Sequence, residues 1–260
     1  MTLADRLCSA DPEERSAAIA EIAARKHVAP SELEALAGCL GHARKAIQRP
    51  AADACVALAA HGIDVRPVLG VALGSPLARQ RWGAAFALAR LGDPPLETLP
   101  VVLETLGGDD GDLRWAAAEI LRRMPERARV IEALEDLLRT GNGAQRKMAL
   151  YCLRDLGARA PEIEQAALWA LGDELRDVRL AAIAWLARLA TDRAAAAERL
   201  LIALASDDPQ LRRAAAAGLG LLGERSERVL GALREACAGP DPSLRRAAEG
   251  ALRQLGAADA

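Results

Sequence analysis

The chain has 260 residues, 52% of them hydrophobic but only 2% aromatic, so its core has to be built from aliphatic side chains. A formal net charge of −2, from 34 basic and 36 acidic residues, excludes a uniformly basic nucleic-acid-coating chain. Five scattered cysteines without a CxxC pair supply no disulfide framework, and no apolar run reaches the roughly 18 residues of a membrane span.

The start, MTLADRLCSADPEE, puts Asp5 and Arg6 where a signal peptide is apolar, which predicts a cytoplasmic protein. Basic residues are almost all arginine, with lysine only at 26, 45 and 147, a usage that points to a GC-rich bacterial genome. The first predicted helix, about Thr2 to Ser9, is short and shows little apolar surface, as an N-terminal cap does.

From there the chain repeats itself. Arg15, Arg49, Arg81, Arg114, Arg146, Arg179, Arg212 and Arg245 follow one another at steps of 32 to 34 residues. Three residues after each stands an alanine: Ala18, Ala52, Ala84, Ala117, Ala149, Ala182, Ala215 and Ala248. Seven after each stands an aliphatic residue: Ile22, Val56, Leu88, Leu121, Leu153, Leu186, Leu219 and Leu252. Offsets of 0, 3, 7 and 10 lie on one helical face, so each copy predicts an amphipathic helix, helix B.

Its start is marked by N-cap residues at Asp11, Asp110, Asn142, Asp208 and Asp241. Pro12, Pro209 and Pro242 follow in the first turn, and Gly92, Gly157, Gly223 and Gly256 close the ends. A second helical stretch, helix A, precedes each copy, as in PSELEALAGCL, where Ser31 and Glu34 read as a capping box. No strand pattern occurs.

Eight helix pairs result, at about 1–28, 29–62, 63–94, 95–126, 127–159, 160–192, 193–224 and 225–260. They predict a single all-α, right-handed α-solenoid, in which stacked pairs bury what one pair cannot.

The pattern D-P-x-x-R-x-x-A-x-x-x-L-x-x-[LI]-G, as in DPQLRRAAAAGLGLLG (208–223) and DPSLRRAAEGALRQLG (241–256), resembles HEAT-like repeats of the phycobilisome-lyase type. The resemblance covers essentially the whole chain and implies that the B helices line a concave face. Proteins of this kind include chromophore lyases, a diiron hydroxylase, DNA glycosylases and scaffolds, so the fold alone does not decide function. The His-Glu pairs of the hydroxylases are absent: His27, His42 and His61 precede Val, Ala and Gly.

Offsets 1, 5, 8 and 9 of helix B point away from the core stripe. They carry Trp82, Phe86, Trp115 and Tyr151, four of the six aromatics, among Arg122, Arg123, Lys147 and Arg154. Together with Glu119 these form the predicted partner-binding set, since aromatics and arginines on one face compose a hot spot. Arg90, Arg188, Arg213, Arg246 and Arg253 extend the basic character of that face, while acids concentrate on the A helices. Glu119, an acid among aromatics, has the ingredients of a glycosylase site, but a salt bridge to a neighbouring arginine explains it better.

Trp169 and Trp185 read as core, as do Cys55 and Cys152. The arginine ladder reads as pairing with capping aspartates of the same or next repeat. The histidines complete no metal site, and no catalytic residue or cofactor is predicted. The expected function is a non-enzymatic scaffold that binds an acidic, partly apolar peptide or protein surface. Nucleic-acid binding in the same groove and a phycobilin-lyase-like role are the alternatives.

The small residue at offset 3 sets how closely helices approach. Replacing Ala149 by leucine is expected to overpack the core at a cost of roughly 1–3 kcal/mol, read as a lower urea midpoint with an unchanged slope.

Overall fold

The computed structural model describes residues 1–257. Its contacts group into two compact units, Met1–Val130 and Ile131–Ala260. The first unit contains α1 (Leu3–Leu7), α2 (Pro12–Ala23), α3 (Pro30–Cys39), α4 (Lys45–Ala60), α5 (Arg66–Leu73), α6 (Ala78–Arg90), α7 (Leu99–Leu106) and α8 (Gly111–Arg123). Helix α9 (Arg127–Thr140) carries the boundary. The second unit continues with α10 (Gly143–Asp155), α11 (Pro161–Ala170), α12 (Arg176–Leu189), α13 (Arg193–Leu204), α14 (Pro209–Leu222), α15 (Glu227–Ala238) and α16 (Pro242–Gln254).

Odd-numbered helices are the A members and even-numbered ones the B members of eight pairs. No strand occurs among the described residues, so the chain is an all-α solenoid of helix pairs. In the second unit α12 packs against α10 and α14, and α14 against α16, so successive B helices lie side by side.

The local signals act as their chemistry requires. Asp11, Asp110, Asn142, Asp208 and Asp241 each accept a backbone N–H of the helix they open. The four closing glycines have positive φ, from 63° at Gly157 to 153° at Gly92, a region side chains disfavour. The box placed on Ser31 and Glu34 is formed instead at Ala29 and Glu32. The Glu32 carboxylate accepts from Ala29 N at 2.9 Å, but the Ala29 side chain has no oxygen, and Glu32 N donates to the Ala29 carbonyl at 3.0 Å instead. Glu164, buried in α11, accepts from Thr191 N and Asp192 N at 3.0 Å each, and so satisfies backbone donors ahead of α13.

All eight offset-3 alanines are buried, Ala149 completely. Seven of the eight offset-7 residues are buried as well, Val56 being the exception. The exception exposes a register error in the second repeat. There the buried residues are Ala51, Cys55 and Leu58, which sit at offsets 3, 7 and 10 from Gln48, not from Arg49. Counting from Gln48 also makes the first two steps 33 and 33. Arg49 and Asp53 therefore occupy the outward offsets 1 and 5, and Cys55 is core at offset 7.

The ladder arginines pair mainly with backbone, not with capping aspartates. Arg15, Arg81, Arg114, Arg146, Arg179 and Arg212 donate to carbonyls just past the end of their own helix A. Arg15 reaches Cys8 O at 3.1 Å and Arg81 reaches Ser75 O at 2.9 Å. Arg114 reaches Gly108 O at 2.6 Å and Arg146 reaches Gly141 O at 3.0 Å. Arg179 reaches Asp173 O at 2.6 Å and Arg212 reaches Ser206 O at 3.0 Å. Gln48 supplies the same bond to Leu40 O at 2.8 Å. The last carbonyls of a helix lack partners and carry partial negative charge, so a cation there is favoured twice over. The aspartate pairing survives only for Arg212 with Asp241, at 3.9 Å.

Arg146 also grips Asp173 of the following repeat, with Nε and Nη2 at 2.7 and 2.9 Å. Burial alone would raise the Asp173 pKa. The bonds from Arg146 and from Leu175 N–H outweigh it and hold the carboxyl below its ordinary 3.8. A carboxylate with a depressed folded pKa contributes stability that is complete above its unfolded pKa of about 4 and is lost as pH falls through the folded value. Asp173→Asn is therefore expected to lower the urea midpoint at neutral pH and to flatten the decline below about pH 4, measured as midpoint against pH.

Candidate functional site

In the first unit the B helices α6 and α8 bring three aromatics to their outward side, but they are not equivalent. Trp82 is 6% exposed and Trp115 58%. Trp82 stacks on the half-buried Phe86, with ring centroids 5.9 Å apart at 33°, and the Arg90 guanidinium lies 5.8 Å from the Phe86 ring. Offset 1 faces outward, yet in the third repeat the neighbouring helices close over it. Trp82 is thus part of the packing, with one side bounding a cleft. Phe86 shares that cleft, and Trp115 projects outward.

The polar members of the expected site are largely occupied. Arg122 holds both Glu119 oxygens, at 2.6 and 2.8 Å from Nη2, as an i,i+3 pair on α8. Arg123 turns to the preceding repeat and donates to Ala89 O and Gly92 O at 2.9 and 2.8 Å, so it closes the end of α6. Arg90 pairs with Asp53, the acid hidden from sequence reasoning by the register of α4.

The cleft beside Trp82 consists of two cavities, of about 80 and 550 Å³, which share Lys45, Gln48, Trp82 and Leu113. Gln48 is fixed there by Leu40 O and Arg79 O, at 2.8 and 3.2 Å. The Lys45 ammonium lies 2.6 Å from Asp110 Oδ2 and 3.9 Å from Asp112 Oδ2. The proximity of Lys45 and Asp110 has no sequence signal, because 65 residues separate them.

In the second unit Lys147, Tyr151 and Arg154 do share the outward side of α10. Arg154 lies 5.0 Å above the Tyr151 ring and pairs with Asp155, while Lys147 pairs with Asp177, both at 2.7 Å. The next three B helices continue the strip at the same offsets: Leu180, Ala184 and Arg188 on α12; Arg213, Ala217 and Leu221 on α14; Arg246, Gly250 and Arg253 on α16. Leu221 is 52% exposed. Among the described residues, Arg188, Arg213, Arg246 and Arg253 have no carboxylate within ion-pair distance, as Arg49 has none in the first unit, whereas Lys45, Arg90 and Arg122 are paired.

Trp185 is fully buried, as expected of core. Trp169, also expected in the core, is 67% exposed. Ile163, Glu164, Ala167 and Ala170 take the buried face of α11 and leave Trp169 on the opposite one. Cys55 and Cys152 are core residues, and burial pushes both thiols up to about 12, far from a reactive thiolate. His61 and His27 are exposed, with His61 Nδ1 donating to Arg25 O at 3.0 Å. No described helix is long and apolar enough to cross a membrane.

The two tryptophans should respond differently to truncation. Trp82→Ala is expected to cost about 3 kcal/mol, from lost burial and the void left beside Phe86. Trp115→Ala should stay within about 0.5 kcal/mol. Urea midpoints of the two single variants check this, and a binding study should use Trp115→Ala alone.

Comparison with known proteins agrees with this architecture. The family model for HEAT repeats matches residues 65–154 and 197–260, more than half of the chain. No curated protein matches the sequence. An engineered protein of known structure is 20% identical, over 98% of this chain and 77% of its own, with a TM-score of 0.51. The Escherichia coli protein YibA is 19% identical, over 98% of this chain and 91% of its own, with a TM-score of 0.60. A chain from a structure of Kap95p with RanGDP is 15% identical, over 97% of this chain but only 38% of its own, with a TM-score of 0.58. At such identities these likenesses show the fold alone, whereas the family match, together with eight helix pairs built on one residue pattern, makes the chain a member of the HEAT-repeat proteins.

Proposed function

We propose that this chain is a protein-interaction scaffold that holds an acidic, partly apolar segment of a partner on the B-helix side of its second unit. The observation that carries the reading is the strip on α12, α14 and α16. There Arg188, Arg213, Arg246 and Arg253 have no acid partner among the described residues, and Leu180, Ala184, Ala217 and Leu221 lie between them. An arginine already paired must give up its carboxylate before it binds another, whereas these four stand ready to accept one with two parallel bonds. The apolar residues between them suit alternate side chains of an extended or helical segment. Lys147, Tyr151 and Arg154 lengthen the strip onto α10. Kap95p, a structural neighbour, binds another protein, RanGDP, which fits this use of the fold. On the first unit Trp115, Phe86, Glu119 and Arg122 offer a smaller and mostly self-paired surface.

A fluorescent peptide of alternating glutamate and leucine, titrated by anisotropy, tests this. Arg213→Glu/Arg246→Glu is expected to weaken binding at least about ten-fold. Arg228→Glu, on the A helix α15, should leave it unchanged. Equal affinity for wild type and the double variant sinks the reading. So does tighter binding of labelled oligothymidine, with a log-log salt slope of about −0.7 per phosphate contacted, which would make the strip a nucleic-acid surface.

A further inference from the structure

In a solenoid each repeat touches its neighbours. Lys45 breaks this rule. It opens α4 in the second repeat and reaches past the third repeat to Asp110, the capping residue of α8 in the fourth, at 2.6 Å. The position is locally unfavourable, since a cation in the first turn meets the positive end of its own helix. Asp110 does not need the lysine either. Its Oδ1 is engaged by Asp112 N and Leu113 N at 3.0 and 3.3 Å, and it caps α8 unaided. The ion pair is solvent-exposed on both sides, with side-chain exposures of 45% and 37%, so it adds little to the fold.

The pair lines the cleft beside Trp82. Trp82, Leu113 and Ala78 supply its apolar lining, Gln48, Arg79 and Thr105 a polar part, and Glu104 and Asp109 join Asp110 as its acids. Glu104 is engaged by Arg81 at 2.5 Å, which leaves Asp110 Oδ2 and Asp112 to face the cleft's cation. An apolar lining beside carboxylates suits an alkylammonium: the stem lies against Leu113, Ala78 and the edge of Trp82, and the charge meets the oxygens. Only one oxygen of Asp110 points to the cleft, which fits a point charge better than the two-pronged guanidinium.

We propose that this cleft is a receptor for a lysine side chain of a partner protein, and that Lys45 occupies it when no partner is bound. The site is separate from the arginine strip of the second unit and selects the opposite charge. The capping carboxylate lies below its ordinary range, chiefly through the bond from Lys45, so it stays ionised when a competing ammonium arrives.

The test uses the full chain, a fluorescein-labelled lysine-rich peptide and its fully acetylated counterpart, followed by anisotropy at low salt. Lys45→Met keeps the stem and removes the internal competitor, and is expected to tighten binding of the unmodified peptide about ten-fold. Asp110→Asn retains a capping oxygen but not the charge, and should weaken it about ten-fold. Acetylation should abolish binding. Arg213→Glu should leave it unchanged, so this proposal and the acidic-peptide reading fail separately. Unchanged or weaker binding by Lys45→Met, or no effect of Asp110→Asn, with both variants folded by circular dichroism, overturns the receptor.

Discussion

The bond between a repeat's leading side chain and the last carbonyls of its own helix A is the contact on which the rest of the structure depends. A helix that ends in a tight turn leaves carbonyls without partners within the helix. The guanidinium of Arg81, Arg114, Arg179 or Arg212 crosses the turn and satisfies them. In doing so it fixes the angle at which helix B leaves helix A. Once that angle is set, the alanine three residues later faces the next pair, and the stack can continue.

The second repeat shows how little the chemistry depends on charge. Gln48 makes the bond with an amide, and Arg49, one position on, is released to the outward side. Its helix still buries Ala51, Cys55 and Leu58 in the usual offsets. What the repeat conserves physically is a donor long enough to span the turn.

The two units use their outward sides differently. In the first, cations are taken by acids from other repeats: Lys45 by Asp110, Arg90 by Asp53, Arg81 by Glu104. Arg123 is taken by backbone. In the second unit this pairing stops after α10, and among the described residues four outward arginines remain without acids beside half-exposed and exposed apolar side chains. A nearly neutral chain thus carries outward cations that are mostly compensated in the first unit, Arg49 excepted, and mostly uncompensated in the second. The uncompensated side and the cleft are where binding free energy is least spent on the protein itself.

Sequence alone determined the repeat, the eight helix pairs, five N-caps, four glycine ends and the aliphatic core, because each rests on spacing along one helix or on residues within one turn of each other. It determined the fate of Trp185 and of the Glu119–Arg122 pair for the same reason. Tertiary structure decided everything that depends on a neighbouring helix. Trp82 and Trp115 hold the same offset, yet one is covered and the other projects, since coverage comes from adjacent repeats and not from the residue's own helix. Trp169 lies outside the core because smaller residues of α11 take the buried face. The register of α4 was ambiguous by one residue until packing chose Gln48. The cleft that Lys45 and Asp110 line was invisible, because its partners meet only when three repeats stack.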